Sequence, residues 1–202
     1  MIGIIDYDAG NIKSVEKALR FLEQEVVVSR DPETLLSADR VILPGVGCFG
    51  DAMNKLHSYG LVDVIKECVS RGTPFLGICL GLQLLFESSE ESPGVEGLHI
   101  LDGKIVRIPD AGGLKVPHIG WNNLSFPRKG RLFENIGEES AFVYFVHSYY
   151  LQAADENIVT AMAEYGVEMH VSVEKGNVFA CQFHPEKSSD LGMQILRNFI
   201  AV

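Results

Sequence analysis

Three residues far apart in the chain have the types and settings of a nucleophile, its base and an orienting acid: Cys79, His184 and Glu186. Cys79 sits in FLGICLGLQLLF, residues 75–86, where a β-like run ends and a helix-like run begins. Gly77 and Gly81 stand two positions to either side of it. G-x-C-x-G is the thiol counterpart of the strand–turn–helix elbow that presents a serine nucleophile, and glycine leaves room where a side chain would collide with the turn. The start of the following helix favours a thiolate and offers free backbone N–H groups to a developing oxyanion. A core cysteine in an apolar run is the competing reading, and this stretch alone does not separate the two.

A thiolate nucleophile needs a base, and the base needs an orienting group. Of the six histidines, His184 is the best placed, leaving the end of the predicted strand FACQF in the string QFHPEKS. Glu186 follows two residues later and shares a side with His184 if the chain stays extended. Pro185 between them biases His184 away from helix. A solvated loop would explain H-P-E on its own. Alongside a cysteine at an elbow, it reads as a Cys–His–Glu triad. In serine α/β-hydrolases the acid precedes the histidine; here it follows.

The rest of the chain supplies elements to carry these groups. IGIID, EVVVS, RVILPGVG and TPFLGI read as short strands. Between them lie helix patterns: SVEKALRFLEQ with Val15, Ala18, Leu19 and Leu22 at helical spacing, a helix start at Asp31-Pro32-Glu33, and LVDVIKECVSRG closed by a glycine. LGLQLLFE is the helix expected after Cys79. Strands alternating with helices imply parallel β-α-β units covered on both faces. The second half is β-rich, in HILDGKIVRIP, HIGWNNLSF, SAFVYFVHSYYLQ and MHVSVEKGNVFACQF, with a hairpin at Lys175-Gly176-Asn177 and a closing helix in LGMQILRNFIAV. The expected fold is a single α/β domain over residues 1–202, a mixed central sheet whose parallel core is flanked by helices in the flavodoxin-like manner.

Composition narrows the function classes. With 202 residues, 47% of them apolar, a sizeable core fits in one domain. No apolar run reaches the roughly 18 residues of a membrane span, and MIGIIDYDAG lacks the basic start of a signal peptide. A cytoplasmic protein is expected. The net charge of −10 argues against a nucleic-acid backbone binder. The four cysteines form no C-x-x-C pair, so free thiols are expected. Cys181 and His184 have a metal-like spacing, but residues three apart on a strand point to opposite faces, which favours Cys181 as a core residue. Neither a metal nor a cofactor is expected.

The strings GICLGLQ and HPE, in this order, resemble the class I, triad-type glutamine amidotransferases along essentially the whole chain. DYDAGNIKSV, PGVGCFGDAM, GICLGLQLLFESSEE, PHIGWNNL, YFVHSYY and FHPEKSS are similar to the subfamily of glutaminase subunits of imidazole glycerol phosphate synthases. That resemblance implies attack by Cys79 on the glutamine side-chain amide, with His184, oriented by Glu186, activating the thiol and protonating ammonia. It implies an oxyanion hole from the N–H of Leu80 and that of Val46 or Gly47. It implies substrate contacts from Gln83, Glu91, His147, Ser148 and Tyr149. It also implies a (β/α)8-barrel cyclase subunit as partner in a one-to-one heterodimer, since the chain leaves no room for a fused synthase. Trp121, the only tryptophan, is expected at or near that interface with Asn11 and Tyr144, although core packing or a turn cap would also explain them.

Two departures from the family pattern are Asp8, where glycine is frequent, and Leu82, where several relatives carry methionine. A stand-alone glutaminase of another synthase, such as the one that feeds pyridoxal phosphate synthase, is the nearest rival; PGVGCFG in place of a PGGES-like loop speaks against it. A noncatalytic regulatory module of the same fold is the rival of a different class, and the intact Cys79, His184 and Glu186 speak against that.

Overall fold

The apolar runs of the first half become buried strands of a parallel sheet. The computed structural model describes residues 1–110, 113–137, 139 and 141–202. In chain order its first elements are β1 (Ile2–Ile5), α1 (Ile12–Phe21), β2 (Val26–Ser29), α2 (Pro32–Leu36), β3 (Arg40–Gly45), α3 (Phe49–Ser58), α4 (Leu61–Ser70), β4 (Phe75–Cys79) and α5 (Leu80–Leu84). Then come β5 (Ser88–Ser89), β6 (Gly103–Arg107), β7 (His118–Asn123), β8 (Phe142–His147), β9 (Tyr149–Ala153), β10 (Val159–Glu164), β11 (Glu168–Lys175), β12 (Val178–Cys181) and α6 (Ser189–Ala201).

Strands β2, β1, β3, β4 and β12 lie side by side in that order, all parallel. This is the doubly wound order of flavodoxin-like sheets. Beyond β12 the sheet turns antiparallel through β11, β9 and β6, with β5 parallel to β6 at the edge and β10 beside β11. A separate antiparallel pair, β7 and β8, stands off this sheet. The single α/β domain with a parallel core is thus observed.

Alternation along the strands sends successive side chains to opposite faces. Ile42, Leu76 and Ile78 join one apolar cluster, with Val15 and Leu19 of α1 and Ile195, Leu196 and Phe199 of α6. Val41, Leu43 and Phe75 join the other, with Leu35, Met53 and Ile65 from α2, α3 and α4. Fully burying each such aliphatic or aromatic side chain contributes roughly 1.5–3 kcal/mol.

Several elements differ from expectation. Helix α3 and strand β10 were not among the predicted elements. Helix α5 is only one turn long: the carbonyls of Leu84, Leu85 and Phe86 accept from Leu98, Ile100 and His99, so the chain peels away to pair with residues 98–100. The run at 140–152, whose first residue lies outside the described residues, splits at Ser148. His147 ends the pairing with β7, and Tyr149 starts a new one with β6.

Candidate active site

Cys79 ends β4, a central strand whose five residues are all buried, with φ 55° and ψ −108°. A residue with a Cβ pays a conformational penalty there. Gly77 and Gly81 make the turn possible. A Cβ on Gly81 would lie 1.8 Å from the Leu43 carbonyl oxygen, and one on Gly77 would lie 2.7 Å from the Gly81 oxygen. The glycines let the first turn of α5 sit directly against β3 and β4.

Neighbouring β12 delivers His184, whose ring is fully buried. Its Nδ1–H donates to Glu186 Oε1 at 2.8 Å, which leaves Nε2 as the ring edge that can exchange a proton with the nucleophile. Glu186 does not reach the ring along an extended chain. Pro185–Lys187 form a 3-10 turn, with Lys187 N–H donating to the His184 carbonyl. Proline at the first position of the turn has the required φ and no N–H to satisfy. Among the described residues Nε2 meets no partner in hydrogen-bond geometry, although the Cys79 sulfur adjoins the ring. Burial opposes a charged imidazole, yet the adjoining Cys79 sulfur and then the Glu186 carboxylate outweigh it and lift the His184 pKa to about 9.

Asn11 reaches the same group. Expected at a partner surface, it starts α1 with φ 73° and donates its side-chain amide to Glu186 Oε1, approaching His184 Nδ1 at 3.3 Å. It does not cap its own helix. Nor does the fold leave its amide free to serve only as a surface group.

A cavity of about 300 Å³ opens above the cysteine. Cys79, Leu80, Val46 and Gly47 line one side of it, and Gln83, Glu91, His147, Ser148 and Tyr149 line the rest. All nine expected cavity groups therefore meet in one place, while His184 and Glu186 stand behind the sulfur. Glu91 also accepts from the Phe49 N–H at 2.8 Å, holding the start of α3 just after the 44–47 loop. Tyr7, buried beneath that loop, donates its hydroxyl to the Pro44 carbonyl at 2.8 Å. Trp121 lies elsewhere, 53% exposed on β7 and edge-on to Tyr144 of β8.

Sequence reasoning missed Gln182 and His118. Gln182 is fully buried, donates to the Cys79 sulfur at 3.6 Å and accepts from Gln83 at 3.0 Å. Its signal was available: it precedes His184 by two residues, a spacing that shares one face of a strand. His118 Nδ1 lies 3.2 Å from His147 Nε2, and His147 Nδ1 lies 2.9 Å from the Tyr149 carbonyl. A carbonyl can only accept, so His147 carries its proton on Nδ1 and takes one from His118 at Nε2.

Burial pushes His118 down to about 4 and His147 to about 3. Both rings fold neutral, so the unfolded chain binds more protons once pH falls below the ordinary histidine value of 6.5. Their contribution to stability is present above pH 6.5 and is lost toward pH 4 and 3. Urea midpoints measured from pH 7 to 4 should fall, and less steeply in His118→Phe. A parallel decline in both proteins would refute the neutral pair.

A family model for class-I glutamine amidotransferases matches residues 3–202. The chain belongs to the class-I glutamine amidotransferases. Within this family it is 54% identical to the imidazole glycerol phosphate synthase subunit HisH of Moorella thermoacetica, over 98% of this chain and 93% of that one. It is 48% identical to the same subunit of Methanothermobacter thermautotrophicus, over 100% and 98%. Among solved structures, one described as a glutamine amidotransferase superposes with a TM-score of 0.74 at 22% identity, covering 99% of this chain and 97% of that one. The Trypanosoma brucei CTPS glutaminase domain with bound acivicin gives 0.67 at 16%, over 99% and 93%. At such identities these two bear on the fold alone. No helix among the described residues of this amidotransferase is long and apolar enough to cross a membrane.

Proposed function

We infer that this chain is the glutaminase subunit of an imidazole glycerol phosphate synthase, releasing ammonia from glutamine for a partner cyclase in histidine biosynthesis. The observation that carries the reading is Cys79 at a strained elbow on the cavity wall, with the unpaired Nε2 of a Glu186-bound His184 behind it. The Cys79 sulfur attacks the amide carbon of the glutamine side chain, and the carbonyl oxygen gathers charge beside the backbone N–H groups of Leu80 and of Val46 or Gly47. His184 holds the thiol proton and passes it to the departing nitrogen, which leaves as ammonia. The γ-glutamyl thioester is then opened by water, with His184 as base, and glutamate is released. Gln83, Glu91 and the 147–149 segment hold the substrate.

Ammonia freed into water near neutral pH becomes ammonium and loses its lone pair, so a synthase gains from a sealed path to a second site. The cyclase, a (β/α)8-barrel subunit in one-to-one complex, fits the outer face of β7 and β8. There Ile119, Trp121 and Phe142 are 59%, 53% and 49% exposed, with Tyr144 beside them. Such a contiguous apolar patch is uncommon on a surface that faces only water. The complex works in the cytoplasm.

Glutamate release should be measured for the chain alone and with the cyclase subunit and its nucleotide substrate. A rise of tenfold or more with the partner is the expected result. Absence of release in every mixture, from a folded complex, would sink the reading and leave a binding module.

A further inference from the structure

We propose that Gln182 is a further catalytic residue: its side-chain amide donates an N–H to the Cys79 sulfur and holds it as the thiolate, in an orientation fixed by Gln83. This inference rests on the glutaminase reading and adds to it a second donor at the nucleophile.

Gln182 is completely buried at the end of β12, and its backbone N–H is paired with the Val171 carbonyl. Its side chain spans the gap between the elbow and α5. Nε2 lies 3.6 Å from the Cys79 sulfur, and Oε1 lies 3.0 Å from Gln83 Nε2. A glutamine amide can flip, exchanging donor for acceptor, so its orientation has to be set by something that cannot. Here that is a main-chain carbonyl. Gln83 Nε2 also donates to the Tyr149 oxygen at 3.1 Å, which fixes which end of Gln83 is the amine. The same oxygen takes the Nδ1–H of His147, itself held by His118.

The order of donors therefore runs one way, from the Tyr149 carbonyl through Gln83 to Gln182 and the sulfur. Flipping Gln182 would set its amine against the amine of Gln83 and its oxygen against the sulfur. Both contacts are repulsive in a buried site.

An N–H donor bonds a thiolate far better than a thiol, because charge strengthens the bond. His184 and Gln182 then divide the work. The imidazole must give its proton to the leaving ammonia, whereas a carboxamide keeps its N–H groups at every pH the enzyme meets. Gln182 thus stays bonded to the sulfur when the proton is elsewhere, including when the thioester breaks and negative charge returns to the sulfur.

The test is the rate at which iodoacetamide alkylates Cys79, followed on the Cys79 peptide by mass spectrometry, in wild type, Gln182→Met and Gln182→Glu. Methionine keeps the length of the side chain without a donor. Glutamate keeps an acceptor for Gln83 and, ionised, has no donor for sulfur. Alkylation at pH 7 should slow about threefold or more in Gln182→Met, since a smaller thiolate fraction is partly offset by higher intrinsic reactivity, and further in Gln182→Glu. With glutamine and the cyclase complex, kcat should fall about tenfold while KM stays within about twofold, and the acid limb of the pH profile should move to higher pH.

Wild-type alkylation rates in variants that melt as wild type does would overturn the proposal. If neither variant folds, the side-chain amide signal of Gln182 in ¹⁵N-labelled wild type must shift when Cys79 is alkylated; an unmoved signal overturns it equally. Alkylation needs no glutamine. A wild type that never releases glutamate would therefore defeat the glutaminase reading, and a distinct result defeats this one.

Discussion

Cys79→Gly should abolish glutamate release and yet be more stable than Cys79→Ala. The loss of activity follows from removing the nucleophile and is expected to exceed roughly 10⁴-fold, as for enzymes stripped of a covalent catalyst. The stability order is the sharper claim. At ordinary helix and strand positions glycine is worse than alanine by about 0.5–1 kcal/mol. At Cys79 the backbone stands at φ 55° and ψ −108°, where a Cβ is itself the source of strain. Both substitutions delete the sulfur, so their difference isolates that Cβ. Glycine should lead by about 1 kcal/mol, read as a higher urea midpoint at equal slope. Alanine in the lead would mean that the elbow carries no strain and that the turn is held for reasons other than presenting the thiol.

Gly81→Ala is expected to damage the molecule far more. The added methyl would sit 1.8 Å from a main-chain oxygen of β3, at Leu43. Leu43 is fully buried, and its neighbours in β3 pair with both β1 and β4, so this oxygen cannot swing aside as the tip of a flexible side chain could. Relief requires moving α5 off the sheet, which would expose Leu80, Leu82 and Leu84 and break the elbow. A loss above about 4 kcal/mol, or a chain that never reaches the native state, is expected. Gly137→Ala serves as the control, because among the described residues nothing lies within 4 Å of its added methyl; it should stay within about 0.5 kcal/mol of wild type. A well-folded Gly81→Ala protein would show that the close approach of α5 is not needed for the fold.

Much of this architecture was legible because its local signals and its global role agree. Four apolar strands separated by amphipathic helices leave few alternatives to a parallel sheet. The turn at Gly176 and Asn177 closes β11 onto β12 with Lys175 opposite Val178, as the glycine between two alternating runs suggested. The places that were not legible have physical reasons. Residues 80–86 are buried on every side, and a pattern apolar all round says nothing about where a helix must stop. The aromatic run ending in VHSYYLQ reads as one strand, because no glycine or proline marks the change of partner sheet at Ser148.

The site divides in the same way. Cys79 and His184 were visible through their glycines and their strand end. The 3-10 turn that brings Glu186 back was hidden, since proline suits an extended chain and the first step of a turn alike. The bond from Asn11 to Glu186 was hidden for a different reason. A polar residue at a helix start has an obvious local use, and nothing nearby in sequence reveals a carboxylate 175 positions away.

The elbow also joins the two halves of the hydrophobic interior. Cys79 packs into the cluster on one face of the sheet, and Leu80, the very next residue, packs into the cluster on the other. The reacting sulfur and the N–H beside it are therefore anchored in separate layers of the molecule, and their spacing is set by how those layers sit across β4. Repacking either layer would move one anchor and leave the other in place. A library that redesigns only the α1–α6 side, or only the α2–α4 side, should thus yield many well-folded but sluggish proteins, and active ones will be those in which both layers change together.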